Sequence, residues 1–145
     1  MTDRPDTVSA GAAGQLFALR VYYEDTDLSG AVYYANYLKF IERARSEWVR
    51  ACGIDQGALR QTEGVVFAVR RLVADYLAPA RFDDALQVAT VPLVLTAARI
   101  VLHQVVRRHG TPLFEAEVTL VCIGPNSRAV RIPAAIRTKL ARDRE

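Results

Sequence analysis

Between Tyr22 and Tyr37 the chain gathers its most reactive side chains: Glu24, Asp25 and Asp27 stand in a turn with Gly30, and Tyr33, Tyr34 and Tyr37 follow where a helical pattern begins. A carboxylate there lies near the N–H groups that a helix leaves unpaired in its first turn, and near the positive end of the helix dipole. Such a place can bind an anion or polarise a carbonyl oxygen. Carboxylate and N–H donors together supply a base or nucleophile and an oxyanion site, which suits acyl transfer or hydrolysis. The same residue types also serve as ordinary helix caps. Asp25 and Glu24 are rivals to Asp27: extension through the turn would set Asp25 and Asp27 on one side, where like charges raise one pKa. Turn hydrogen bonding is the other use of Asp25.

Other reactive types are sparse. Cys52 and Cys122 lie far apart in apolar stretches with no C-x-x-C spacing, which predicts two buried, reduced thiols. With only His103 and His109 as further soft ligands, a four-ligand zinc site would need all four at an unusual spacing, so no metal is expected. The 19 basic residues include only two lysines, Lys39 and Lys139; arginine's planar fork grips phosphate and carboxylate well. The net charge is +3, and the excess is C-terminal: Arg128, Arg131, Arg137, Lys139, Arg142 and Arg144 face only Asp143 and Glu145 there. Such a tail suits an anionic partner or a solvated helix surface. Nucleic acid is a poor partner, because no aromatic-basic platform or recognition-helix motif accompanies the excess.

These residues need elements to hold them. At 145 residues, 51% of them hydrophobic, the chain supports one core and not two domains. Residues 1–14 lack apolar periodicity and read as a disordered leader before a single domain over 15–145. No apolar run serves as a signal peptide or membrane span, which predicts a cytoplasmic protein. Leu16 to Tyr23 reads as a strand. Tyr34 to Cys52 repeats its apolar residues at helical spacing, and Gly53 is placed for a left-handed cap, with a short second helical turn over Asp55 to Gln61. Val65–Leu77, Asp84–Val91, Arg99–Val106 and Leu113–Ile123 are strand-like, the last two joined by a tight turn at His109 and Gly110. Four successive strands predict an antiparallel meander, hence an α+β layer of one helix on a curved sheet. Its other face and its edge strands need cover, which predicts a homo-oligomer. Pro133 to Arg144 reads as a final basic helix or a frayed tail.

From Tyr23 to Arg45 the run Tyr-Glu-Asp-Thr-Asp-x-x-Gly-x-Val-Tyr-Tyr-x-x-Tyr-Leu-x-Phe-x-Glu-Arg-Ala-Arg resembles the signature of the 4-hydroxybenzoyl-CoA thioesterase branch of hotdog-fold acyl-CoA thioesterases, most closely the Tol–Pal-associated group. The likeness extends from about Phe17 to Pro133, through Gly-Val-Val-Phe-Ala-Val-Arg-Arg and Asp-Tyr-Leu-x-Pro-Ala-Arg-x-Asp-Asp. It implies a hotdog fold, an antiparallel sheet wrapped around one long central helix, and hydrolysis of a CoA thioester with no metal or redox cofactor. It makes Asp27 the catalytic carboxylate, as nucleophile or as general base, and the backbone N–H of Tyr34 the donor to the thioester oxygen. Many relatives in the Tol–Pal-associated group carry His where this chain has Tyr34. A phenol titrates near ~10 and is a poor base at neutral pH, so any role needing imidazole passes to Asp27. The Tyr34 side chain then orients a water, lines the acyl pocket or simply packs.

Gly30 serves close approach of the thioester or a simple turn. Glu42 and Arg45 match the family's Glu-x-Ala-Arg and are expected to pair along the helix. The phosphates of CoA are expected to meet Arg70, Arg71, Arg99 or Arg131 in a homodimer or homotetramer, whereas a catalytic role for His103 or His109 has no support in the pattern. The alternative is a binding or scaffold protein whose basic C-terminus docks an acidic acyl carrier protein or an envelope-associated complex.

Overall fold

The computed structural model describes residues 14–142; the expected leader lies almost wholly outside them. Strand β1 (Gln15–Arg20) is shorter than Leu16 to Tyr23 suggests. Its extension stops because the Tyr22 N–H donates to the Asp25 carboxylate at 2.8 Å, closing a single 3-10 turn over Tyr23–Asp25. Helix α1 (Asn36–Ala51) follows. It begins two residues after Tyr34, whose place is in the turn that leads in. Gly53, at φ +89°, ends it in the left-handed conformation that costs glycine least. Asp55 caps helix α2 (Gln56–Glu63) by accepting the Ala58 N–H.

Strands β2 (Val66–Tyr76), β3 (Ala85–Leu95), β4 (Ile100–Arg108) and β5 (Thr111–Ile123) complete the main sheet, with a two-residue β6 (Ala129–Val130) on β5. The order is β1-β3-β4-β5-β2, antiparallel throughout. Only β3-β4-β5 is therefore the expected meander. β2 pairs with β5 rather than with β3, because residues 77–84 form no hairpin. They are drawn back toward the acidic turn instead: the Ala80 carbonyl accepts the Val32 N–H and Arg81 bridges Ala31.

One face of α1 lies in the concave side of this sheet. Tyr37, Phe40, Ile41, Ala44, Trp48 and Val49 recur every three or four residues and are all buried. They meet Leu86, Val88, Leu102, Val106, Phe114 and Val118 from the strands. Each large side chain so buried stabilises the fold by ~1.5–3 kcal/mol. One polar knot crosses this layer: Gln104 Nε2 donates to the Ile41 carbonyl and to Thr90 Oγ1, both at 2.9 Å, while Arg45 donates to Gln104 Oε1 at 3.2 Å. Arg45 is thus turned into the layer and away from the expected pair with Glu42, which accepts from Ser46 instead. Burial pulls the Arg45 guanidinium pKa down, partly offset by the nearby Glu42 charge.

Helix α3 (Ala134–Arg142) is amphipathic, with Ile136 and Leu140 joining the core. Two of its cations are engaged, Arg137 on the Ile132 carbonyl and Lys139 on the Gly53 carbonyl. No helix among the described residues is long and apolar enough to cross a membrane. β1 and β2 form the edges, and β2 exposes Val69 (48%), Val73 (46%) and Tyr76 (49%), an apolar edge of the kind that invites pairing.

Candidate active site

The acidic turn is stitched at its base. Thr26 bridges Val32, the Tyr33 N–H reaches the Asp25 carbonyl at 2.9 Å, and Asn36 Nδ2 reaches the same oxygen at 2.9 Å. Asp25 therefore spends both carboxylate and carbonyl on the turn. Glu24 is exposed on the surrounding rim. Asp27 stands further out: its carbonyl accepts the Gly30 N–H at 2.9 Å, closing a tight turn, and Gly30 takes φ +86°. A Cβ built on Gly30 would meet nothing within 4 Å, so its backbone conformation, and not crowding by the protein, demands glycine there.

The Asp27 carboxylate is fully exposed, and one oxygen accepts both the Ser29 hydroxyl at 2.5 Å and the Ser29 N–H at 2.9 Å. Those bonds, the hydroxyl's first, hold its pKa below the ordinary 3.8. Asp27 lines a cavity of about 610 Å³ together with Tyr23, Glu24, Thr26, Leu28, Gly30 and Phe82. Tyr34 follows at the entry to α1. Its ring is 62% exposed, it stacks edge-on with Tyr33 at 4.9 Å, and its N–H meets no acceptor among the described residues. Asp27, Gly30 and Tyr34 thus share one end of the sheet.

Other expected residues lie elsewhere. Arg70 and Arg71 are exposed on β2, where the register shifts between Val69 and Arg71. Arg99 precedes β4, and Arg131 adjoins the same corner because the Ile132 N–H donates to the Ala97 carbonyl. Asp27 is near the start of β3 and this corner near its end, so the strand's 11 residues, at ~3.3 Å each, separate them. His103 Nε2 donates to Glu115 Oε1 at 3.1 Å on the sheet face turned away from α1, and exposed His109 occupies a turn at φ +50°. Cys122 is buried and its thiol is pushed up to about 11, which leaves it inert; Cys52 is half-buried. Among the described residues no group of three or more His, Cys, Asp or Glu is arranged to hold a metal. Sequence reasoning missed Ser29, whose spacing after Asp27 is a local turn signal, and Phe82 and Tyr76, which only the tertiary fold brings near.

The pattern that defines the thioesterase-like superfamily matches residues 21–140. The chain belongs to that superfamily. This thioesterase-like chain is 45% identical over 108 residues to an acyl-CoA thioester hydrolase YbgC of Escherichia coli, covering 74% of the chain and 80% of that relative. A probable thioesterase from Bartonella henselae has the same fold at 35% identity and TM-score 0.80, over 83% of this chain and 100% of that one. A 4-hydroxybenzoyl CoA thioesterase complexed with 4-hydroxybenzoyl CoA superposes at TM-score 0.84 with 20% identity, over 89% and 99% of the two chains, a likeness of fold alone. The hotdog architecture expected from the sequence is the one observed. The chain is an enzyme, a thioester hydrolase, as its superfamily and its relatives at this identity require.

Proposed function

We propose that the protein hydrolyses an acyl-CoA to coenzyme A and a free carboxylic acid, with Asp27 attacking the thioester. The observation that carries this reading is the ionised Asp27 carboxylate lining a cavity, in the same turn-to-helix segment as the Tyr34 N–H, which meets no acceptor among the described residues. The N–H polarises the carbonyl oxygen; Asp27 Oδ2 bonds to the carbonyl carbon; the carbon–sulfur bond breaks and the CoA thiolate takes a proton from water. Water then opens the mixed anhydride, releasing the acid and restoring the carboxylate. In the rival route Asp27 takes a proton from water and hydroxide attacks. The Ser29 bonds lower the Asp27 pKa, which keeps the carboxylate ionised for either route. Gly30, with open space where a side chain would stand, leaves room for the thioester.

The arginine corner supports a homodimer. A second copy docked antiparallel along β2 would bring its own Arg99 and Arg131 toward this copy's Asp27 end, and Arg70 and Arg71 to the seam, where they would meet CoA phosphate. A tetramer would be two such dimers. The likeness to the Tol–Pal-associated group supports work in the cytoplasm beside that envelope system. Docking of an acyl carrier protein through the C-terminal cations is the weaker reading, since Arg137 and Lys139 already hold backbone carbonyls.

The test is release of free thiol from acyl-CoAs of short, medium, long and aromatic chains by the purified protein and by Asp27→Asn. Loss of ~10²-fold or more in kcat is expected in a variant that stays folded and keeps its assembly state. Full activity in a well-folded Asp27→Asn protein overturns the reading. One turnover in heavy-oxygen water tests the nucleophilic route: label recovered in the Asp27 carboxyl marks water attack on a mixed anhydride at that carbon, an outcome the general-base route does not give.

A further inference from the structure

We infer that Tyr76 is a positioning residue for this reaction, the brace that aims the Tyr34 N–H at the thioester oxygen; the inference rests on the reading of Tyr34 given above. Tyr76 is the last residue of β2, and its hydroxyl donates to the Tyr34 carbonyl at 2.9 Å across 42 positions of sequence. Tyr33 is tied on one side of Tyr34 by its N–H to Asp25, and Asn36 on the other by its N–H to the Tyr33 carbonyl at 2.8 Å. Tyr34 is the exposed apex between those ties. Two peptide planes meet at it, one bearing its N–H and the other its carbonyl. The first plane also carries the Tyr33 carbonyl that Asn36 holds; with the Tyr34 carbonyl pinned as well, both planes are fixed, φ and ψ of residue 34 lose their freedom to rock together, and the N–H keeps its direction. A hydrogen bond weakens steeply once its angle falls below ~120°, so direction is what a polarising donor most needs.

The brace is anchored in the core. Tyr76 packs edge-on against Phe114, which is fully buried, with centroids 4.9 Å apart, and against Tyr37 at 5.6 Å. Tyr37 lies nearly parallel on Phe114 at 5.0 Å and accepts the Ala80 N–H at 3.0 Å. The Tyr34 ring completes the group, 6.3 Å from that of Tyr76. A continuous run of rings therefore leads from the layer between α1 and the sheet to the Tyr34 carbonyl. Partial burial, with the neighbouring Tyr34 and Tyr37, keeps the Tyr76 pKa above its ordinary 10.0, so its hydroxyl remains a donor at neutral pH.

Tyr76→Phe keeps the ring and removes only the hydroxyl, so the variant is expected to fold. Loss of a whole oxyanion donor costs ~10²–10³ in rate, and a donor left in place but unaimed should cost roughly tenfold or more in kcat. KM should stay within about twofold, since the hydroxyl removed is spent on the Tyr34 carbonyl. The second readout is the carbonyl stretch of a bound, isotopically labelled acyl-CoA analogue in which a methylene replaces the thioester sulfur. Wild-type protein should shift it to lower frequency, and Tyr76→Phe should abolish most of that shift.

An unchanged kcat, or an analogue shift equal to wild type, overturns the inference. So does a pattern in which kcat, KM and melting temperature all worsen while the analogue shift persists, the mark of a packing role alone. Failure of the underlying function looks different: wild-type protein fails to release thiol, or Asp27→Asn retains full activity. The analogue, being inert to hydrolysis, still reports on Tyr76 in either event, and no shift even in wild-type protein overturns the Tyr34 donor and its brace together.

Discussion

At Asp27, two hydrogen bonds from one serine to one oxygen keep charged a surface carboxylate that lines the cavity. Ser29→Ala removes the stronger of them, so the Asp27 pKa should rise toward the ordinary 3.8. Carboxyl chemical shifts followed by NMR from neutral to acid pH would register this, and an unmoved pKa would mean that Ser29 does not set it. The sign for stability follows from the same shift. A carboxylate whose native pKa lies below its unfolded value favours the native state above that unfolded value, and the contribution fades as pH falls through the lower native one. Because Asp27 is wholly exposed, its titration should register in activity at acid pH far more than in the melting temperature. Gly30→Ala places a side chain at φ +86° and should distort the turn that presents Asp27, lowering kcat without unfolding the domain.

The helix and the sheet are held in register by apolar contact and also by one polar tie. Gln104 is fully buried and meets a helix carbonyl, a strand hydroxyl and the Arg45 guanidinium. Gln104→Leu preserves bulk but strands Arg45 and the Ile41 carbonyl without their partner, a loss expected to cost ~1–3 kcal/mol. Urea unfolding should show the midpoint falling at an unchanged slope. Since α1 also carries the Tyr34 turn at its entry, this variant tests whether helix placement and catalysis are coupled: a parallel fall in kcat at temperatures where the protein stays folded is the expected result.

For the whole molecule, the separation between the acidic turn and the Arg99–Arg131 corner becomes useful only if a second copy reverses it. Val73→Lys puts a charge on the exposed β2 edge and should shift sedimentation toward the monomer while reducing kcat/KM for acyl-CoA. A complementation experiment is sharper. Asp27→Asn and Arg99→Glu subunits, each weak alone, should regain activity when mixed and allowed to exchange, because each hybrid dimer rebuilds one site with both residues intact. No recovery on mixing, with exchange verified, would place Arg99 outside the site.

Some features were legible from the chain alone because their causes are local. The period of α1, the Gly53 cap and the antiparallel β3-β4-β5 run follow from spacing, a left-handed position and short turns, and the acidic turn before the helix, with its family resemblance, is where the proposed site was read. Local causes also misled. Leu16 to Tyr23 has strand composition throughout, but a side chain three residues downstream captures the Tyr22 N–H and bends it away. Glu42 and Arg45 have helix-pair spacing, yet a buried amide on β4 offers Arg45 a better-shielded acceptor. Tertiary structure alone decided that β2 crosses to β5, that Phe82 lines the same cavity as Asp27, and that Tyr76 reaches Tyr34. Those contacts join residues tens of positions apart, and their geometry is set by how the whole sheet curves around its helix, which no window of sequence encodes.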